Sequence, residues 1–273
     1  ITFTSATTLT GNVALNTGAG AGTIAFLNTL NGGFDLALTA GTGNIDFDFL
    51  VGGVAPLGAV TVNSATDVTA DGAFNAASFR QVAGSGTTTF TGALSTTAAA
   101  GVNVDGTNFN FNDAVTVALG DLDVDATGTV RFNGLVTTQE AAANGLVTVS
   151  NVGLLTITGT GDMNLAGAFL QDGAGLVSTA GDITTTNDNI TFTSATTLTG
   201  NVALNTGSGL GTIAFRKSLD GLFDLALTAG TGNIDFDGSV GVGAPLGAVT
   251  VNSATDVTAA LVFNAASFRQ VAG

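Results

Sequence analysis

Apolar and polar residues alternate with a period of two along short segments of this chain, and the segments return about every 21 residues. In register they read ITFTSAT from Ile1, IAFLNTL from Ile24, IDFDFLV from Ile45, VTADGAF from Val68, TTFTGAL from Thr88, FNFNDAV from Phe109, VRFNGLV from Val130 and MNLAGAF from Met163. Their third positions are Phe3, Phe26, Phe47, Ala70, Phe90, Phe111, Phe132 and Leu165; their second positions are Thr2, Ala25, Asp46, Thr69, Thr89, Asn110, Arg131 and Asn164. The former column is apolar and the latter largely polar, as expected of strands whose successive side chains point to opposite faces. The starts are evenly spaced except for two long intervals, from Val130 to Met163 and from Met163 to the next start at Ile190. These two are expected to hold loops or to hide a ninth coil.

A spacing of this size accommodates three short strands and their turns, so each unit closes one coil that hydrogen-bonds to the coils above and below. The pattern predicts an all-β fold: a right-handed parallel β-helix, or β-solenoid, of about 21 residues per coil and about 12–13 coils. The handedness follows from the general rule for parallel crossovers. Asn, Gly, Thr and Asp cluster in NTGAGAGT and TAGTGN, where corners need φ > 0 and side-chain to backbone hydrogen bonds. Only TTQEAAANG, Thr137 to Gly145, has helical composition, and it is expected to be a protruding loop or a short turn.

A longer repeat is superimposed on the coils. Ile1 to Gly84 returns without a gap as Ile190 to Gly273, with 70 of 84 positions identical. Residues 1–273 therefore read as a single continuous solenoid, with 1–189 one full sequence period and 190–273 the start of the next. The fourteen differences fall in 19–33, 49–54 and 71–73. They include Leu27 to Arg216, Asn28 to Lys217 and Phe49 to Gly238, and they spare the Ile and Phe columns. A packed interior beneath a tolerant surface predicts this distribution, with Phe49 placed where its strand is already turning. Neither end carries an obvious capping segment, so self-association or end-to-end continuation of the same repeat is expected.

Composition narrows the chemistry. Twenty acidic residues against five basic ones give a formal charge of -15, which opposes binding to nucleic acid or an anionic membrane surface. No apolar run approaches the roughly 18–20 residues that span a bilayer, so no membrane insertion is expected in this segment. The chain has no Cys and no His, which removes thiolate chemistry, the commonest general base and the commonest transition-metal ligand. Trp and Tyr are absent too, which weakens a carbohydrate-stacking site. No signal peptide is visible, and a stretch that begins inside a repeat would not show one.

Two carboxylate groups remain as candidates. Asp46 and Asp48 share the outward face of one strand and return as Asp235 and Asp237; Asp121, Asp123 and Asp125 do the same in GDLDVDATG. Same-face carboxylates on a strand lie about 7 Å apart, a spacing that suits Ca²⁺ held between coils, an acid and base pair, or a solvated face that keeps a long rod soluble. The Ca²⁺-binding nonapeptide GGxGxDxUx is missing. The bases are Arg80, Arg131, Arg216, Lys217 and Arg269, and Arg131 is expected to stack over Asn110 and not over a carboxylate. The ThrxThr pattern of Thr2 and Thr4, repeated at Thr89 and Thr91, is broken by Ala25 and Leu27 and so gives no ice-like lattice. No phosphate-binding loop is present. No catalytic, cofactor-binding or metal-binding residue is assigned, and no enzyme is expected.

The IxF coils, the TGxGxGT and LTAGTGNI corners and the Asn/Thr/Gly/Ala/Val richness of the whole chain resemble the repetitive shafts of filamentous-haemagglutinin-like bacterial exoproteins and large autotransporter adhesins. The resemblance implies an extracellular or cell-surface shaft, a stiff spacer in a fibre, filament or biofilm matrix. Two alternatives stand beside it: a carbohydrate-binding or carbohydrate-degrading parallel β-helix, and a Ca²⁺-stabilised matrix fibre. No Arg-Gly-Asp tripeptide is present, so the resemblance implies no receptor contact.

Overall fold

In the computed structural model, which describes residues 1–139 and 145–273, short strands bury their first and third side chains and turn the middle one outward. Ile45–Phe47 and Val130–Phe132 are two of many such triplets. Each pairs in parallel with the strand one coil away: Phe3 with Phe26, Phe26 with Phe47, Phe111 with Phe132. Among the described residues no helix occurs. Thr137 and Thr138, from the segment of helical composition, belong to the strand Val136–Thr138; residues 140–144 of that segment lie outside the described residues.

The strands form three faces of a solenoid. The first is an eleven-stranded sheet from Thr2–Phe3 to Leu219–Asp220, carried on by bridges to Val240 and Phe263, which makes about thirteen coils. The second face includes Leu94–Thr96, Val115–Val117, Val136–Thr138 and Met163–Leu165. The third includes Val102–Gly106, Leu122–Ala126, Val147–Asn151 and Phe169–Gln171. In the fourth coil a single strand, Phe74–Gln81, serves two faces, with Phe74 beside Leu94 and Phe79 beside Val102. At about 4.8 Å per coil the rod is roughly 6 nm long.

Two expectations about register need correction. Met163–Leu165 does not continue the column of Phe132; it pairs with Val136–Thr138 on the second face, and Ile157 of Leu155–Ile157 stands over Phe132. Nor does the period 1–189 contain a whole number of coils. The first and second faces each take nine positions before Ile190, but the third takes only eight, so Ile190–Phe192 lands on the third face, over Phe169–Gln171. The period is eight and two-thirds coils. The cause is uneven coil width: on the first face Val130 pairs with Leu155 across a wide coil, and Val177 pairs with Thr196 across a narrow one.

The interior is dominated by rings. Phe3, Phe26 and Phe47 stack with centroids 4.9 and 5.4 Å apart and planes within 4°; Phe90, Phe111 and Phe132 stack at 5.8 and 5.0 Å. At Ala70 the column would have a hole, and Phe74 fills it from the second face, meeting Phe47 at 5.3 Å and Phe90 at 5.8 Å edge to face. Each buried ring contributes on the order of 2 kcal/mol by leaving water. The second copy rebuilds the same column on the third face, with Phe192, Phe215 and Phe236 stacked at 5.3 and 5.6 Å and Phe263 edge-on at 5.3 Å. None of the fourteen positions that differ between copies is buried in the first copy, and Phe49 lies past the end of its strand, 53% exposed.

Corners are held by Asp and Asn side chains that accept a backbone N–H from the next coil. Asp35 accepts from Ala59 at 2.8 Å, Asp67 from Thr87 at 2.8 Å, Asn108 from Thr129 at 2.9 Å, Asp182 from Ala203 at 2.7 Å and Asp224 from Ala248 at 2.7 Å. A corner leaves amides without a ladder partner, and these oxygens satisfy them. Gly101 makes its corner with φ +56° and has the Asp121 backbone where a side chain would start, so no other residue fits there without strain.

Candidate functional site

A large open groove, about 590 Å³ in volume, runs along the corner between the third and first faces. Five consecutive coils contribute to it, through Gly84, Gly106, Ala126, Asn151 and Gly173 and their neighbours. The small residues let backbone form its floor, and the carboxylates of Asp105, Asp125 and Asp172 line it. Asp105 and Asp125 are direct neighbours in parallel register, as are Asn103 and Asp123, whose side chains hydrogen-bond at 3.0 Å.

Beneath the groove the corner is polar and buried. Gln171 is fully buried; its amide nitrogen donates to Asn151 Oδ1 at 2.9 Å and to the Gly173 carbonyl at 3.2 Å. Its amide oxygen accepts the backbone N–H groups of Thr193 and Ser194, both at 3.1 Å. At the opposite end of the groove the Gln81 oxygen accepts from the Thr88 hydroxyl at 2.7 Å. These contacts fix where the chain leaves the third face, and thereby the shape of the groove above.

Electrostatics follow from crowding. Burial pushes the Asp105 carboxyl above the usual range; the neighbouring Asp125 charge and hydrogen bond add to this, while Arg80 opposes it. Asp123 is raised first by burial and then by the Asp125 charge, against the stabilising amide of Asn103. Asp46 is raised by burial and by Asp48, Asp67 and Asp71. Each of these carboxyls holds its proton more tightly than a free one.

Asp121, Asp123 and Asp125 do share one outward face, and so do Asp46 and Asp48, but the two groups sit on different faces and do not meet. Asp121 is occupied as a corner acceptor for the Leu146 N–H at 3.0 Å. Among the described residues no three acidic side chains converge in a way that would hold a metal ion. Arg131 stacks over Asn110 and donates to Asn133 at 2.7 Å, away from the carboxylates. Arg216 pairs with Asp237 at 2.7 Å on the surface, an ion pair that the first copy, with Leu27 at that position, does not have. Asp105, Asp172 and the groove itself are not singled out by the sequence pattern, although the recurring Asp-Gly-Thr and Asp-Ala-Thr at 105–107 and 125–127 carry a signal for them.

The arrangement can accept hydrogen bonds from hydroxyls or attract cations. Its own hydroxyls, on Thr107, Thr127 and Ser150, have no basic side chain among the lining residues, and no aromatic ring lines the groove. Among the described residues no helix is long and apolar enough to cross a membrane. Compared with known proteins, the chain matches no protein-family model, no curated protein and no solved structure.

Proposed function

We propose that this chain is a section of a non-catalytic extracellular shaft, a stiff spacer of the filamentous-haemagglutinin-like or autotransporter-adhesin kind, displayed on a bacterial surface or in a matrix. The observation that carries the reading is a core unbroken from Leu9 to Ala254, on which a near-verbatim sequence repeat is laid with changes confined to unburied positions. A chain selected to hold one active site has no use for a second copy of its scaffold, whereas a chain selected for reach gains length from every copy. The carboxylate-bearing surface keeps rods apart in solution.

Immunogold electron microscopy with antibodies against residues 1–273 tests it. The shaft reading expects label on intact cells of the producing organism, along filaments that extend from them. Label that appears only after permeabilisation contradicts it. The carbohydrate-binding alternative has the groove as its place, and it expects oligosaccharides to perturb the amides of 105–107 and 125–127.

A further inference from the structure

The groove on the corner between the third and first faces is floored by small residues and has two unlike rims. On the third-face side, outward residues near the strand ends run in one column: Asp105, Asp125 and Ser150 in parallel register, then Asp172 in the next coil. On the first-face side the rim is neutral and includes Thr127, Val152 and Ala174, with Val152 64% exposed. No basic side chain lines the groove, and among the described residues the one ion pair joins Arg216 to Asp237.

That pair stands further along the same column. Phe192 pairs with Phe215 and Phe215 with Phe236, so Arg216 and Asp237 follow Asp172 and Thr193 along the edge of the rod. The Arg216 guanidinium donates to Asp237 at 2.7 Å. The column therefore binds a cationic side chain where the chain supplies one, and the three carboxylates of the groove are supplied with none.

A row of one charge beside an apolar rim selects a partner of the opposite charge that also carries an apolar side. Spacing sets its form. Asp105 to Asp172 covers three coil spacings, about 14 Å, and residues i, i+2 and i+4 of an extended segment cover about the same length along one side. The whole groove, four spacings or roughly 19 Å, holds about six extended residues. No ring is present for a sugar to stack on. We infer that the groove is a docking site for an extended basic segment of a partner protein, with Lys or Arg at alternate positions facing Asp105, Asp125 and Asp172 and apolar residues between them facing Val152 and Ala174. The docking site goes beyond the shaft reading and does not depend on it.

Fluorescence anisotropy on the full chain tests it, with a labelled peptide of about six residues in which lysine and valine alternate, and a second peptide of the same composition with its lysines consecutive. The inference expects the alternating peptide to bind at least tenfold more tightly than the consecutive one. Asp125→Asn/Asp172→Asn is expected to weaken it at least tenfold, and Asp46→Asn/Asp48→Asn, which removes the same charge from another face, less than twofold. No binding to the parent, equal binding of the two peptides, or equal weakening in the two variants overturns it, since the last two reflect only the general pull of an acidic rod. Displacement of the peptide by spermine or a neutral hexasaccharide at the peptide's own concentration assigns the groove to a small polyamine or a sugar and also overturns it. So does a dimer in sedimentation that Asp125→Asn/Asp172→Asn abolishes, because the occupant is then a second copy of this chain.

Discussion

Phe3 and Phe192 hold the same place in the sequence repeat yet lie on different faces of the solenoid. Phe3 stacks on Phe26 in the first sheet, while Phe192 follows Gln171 on the third face and stacks on Phe215. The local register is copied while the orientation around the axis changes by one face. Surface features that recur with the sequence period are therefore distributed around a rod and not lined up along one side.

This placement can be checked by cross-linking, which the absence of cysteine makes clean. Leu170 and Thr191 are outward neighbours on the third face. In-register parallel strands hold such Cα atoms about 4.8 Å apart, within disulfide reach. L170C/T191C is expected to oxidise to an intramolecular disulfide, read as a mobility shift on a non-reducing gel. S178C/T191C, which a nine-coil period would bring together, is expected to remain reduced.

The ring column carries much of the stability. Phe111 is buried between Phe90 and Phe132, and Phe111→Ala is expected to cost about 3–5 kcal/mol in urea unfolding. Phe49→Gly, a change the second copy already contains, should stay within about 0.5 kcal/mol. Equal losses in the two variants would mean that the rings are not the packed interior.

The ring column itself is legible in the chain, because Phe3, Phe26 and Phe47 recur near one coil length and Phe3 and Phe47 stand between polar neighbours. Phase is not. Ile157 and Thr179 hold the first-face column where no Phe marks it, so matching on Phe and Gly points to Met163, which belongs to the next face. The groove is equally hidden. It depends on five corners of small residues superimposing, and Asp105 acquires Asp125 as a neighbour only through strand pairing with the following coil.

Gln171 ties four groups at a buried corner, so Gln171→Ala is expected to destabilise by roughly 2–4 kcal/mol, the cost of leaving Asn151 and the Ser194 N–H unsatisfied. Chemical denaturation checks the size. Hydrogen exchange should place the loss at the corner of 171–175 and 193–194.

The raised carboxyls give a pH dependence with a definite sign. Asp105 binds its proton more tightly when folded than in the unfolded chain, whose value is near 3.8. The folded state therefore loses relative stability as pH rises from about 3.8 through the elevated folded value, and the loss is complete above it. Asp105→Asn is expected to melt higher than the parent at pH 7, by less than about 1 kcal/mol because the group stays largely solvated, and the gap should close below pH 3.8. Thermal melts of both proteins across pH 3–7 decide it, and a gap that widens toward acid would reverse the assignment.

The most direct measurement is cryo-electron microscopy of three tandem copies of residues 1–189. The account predicts one unbroken rod of about 26 coils spaced about 4.8 Å, roughly 12.5 nm long, in which each period is turned by about 120° from the last and the first orientation returns only after the third. Separate globules, or periods of nine coils that repeat without rotation, would contradict it.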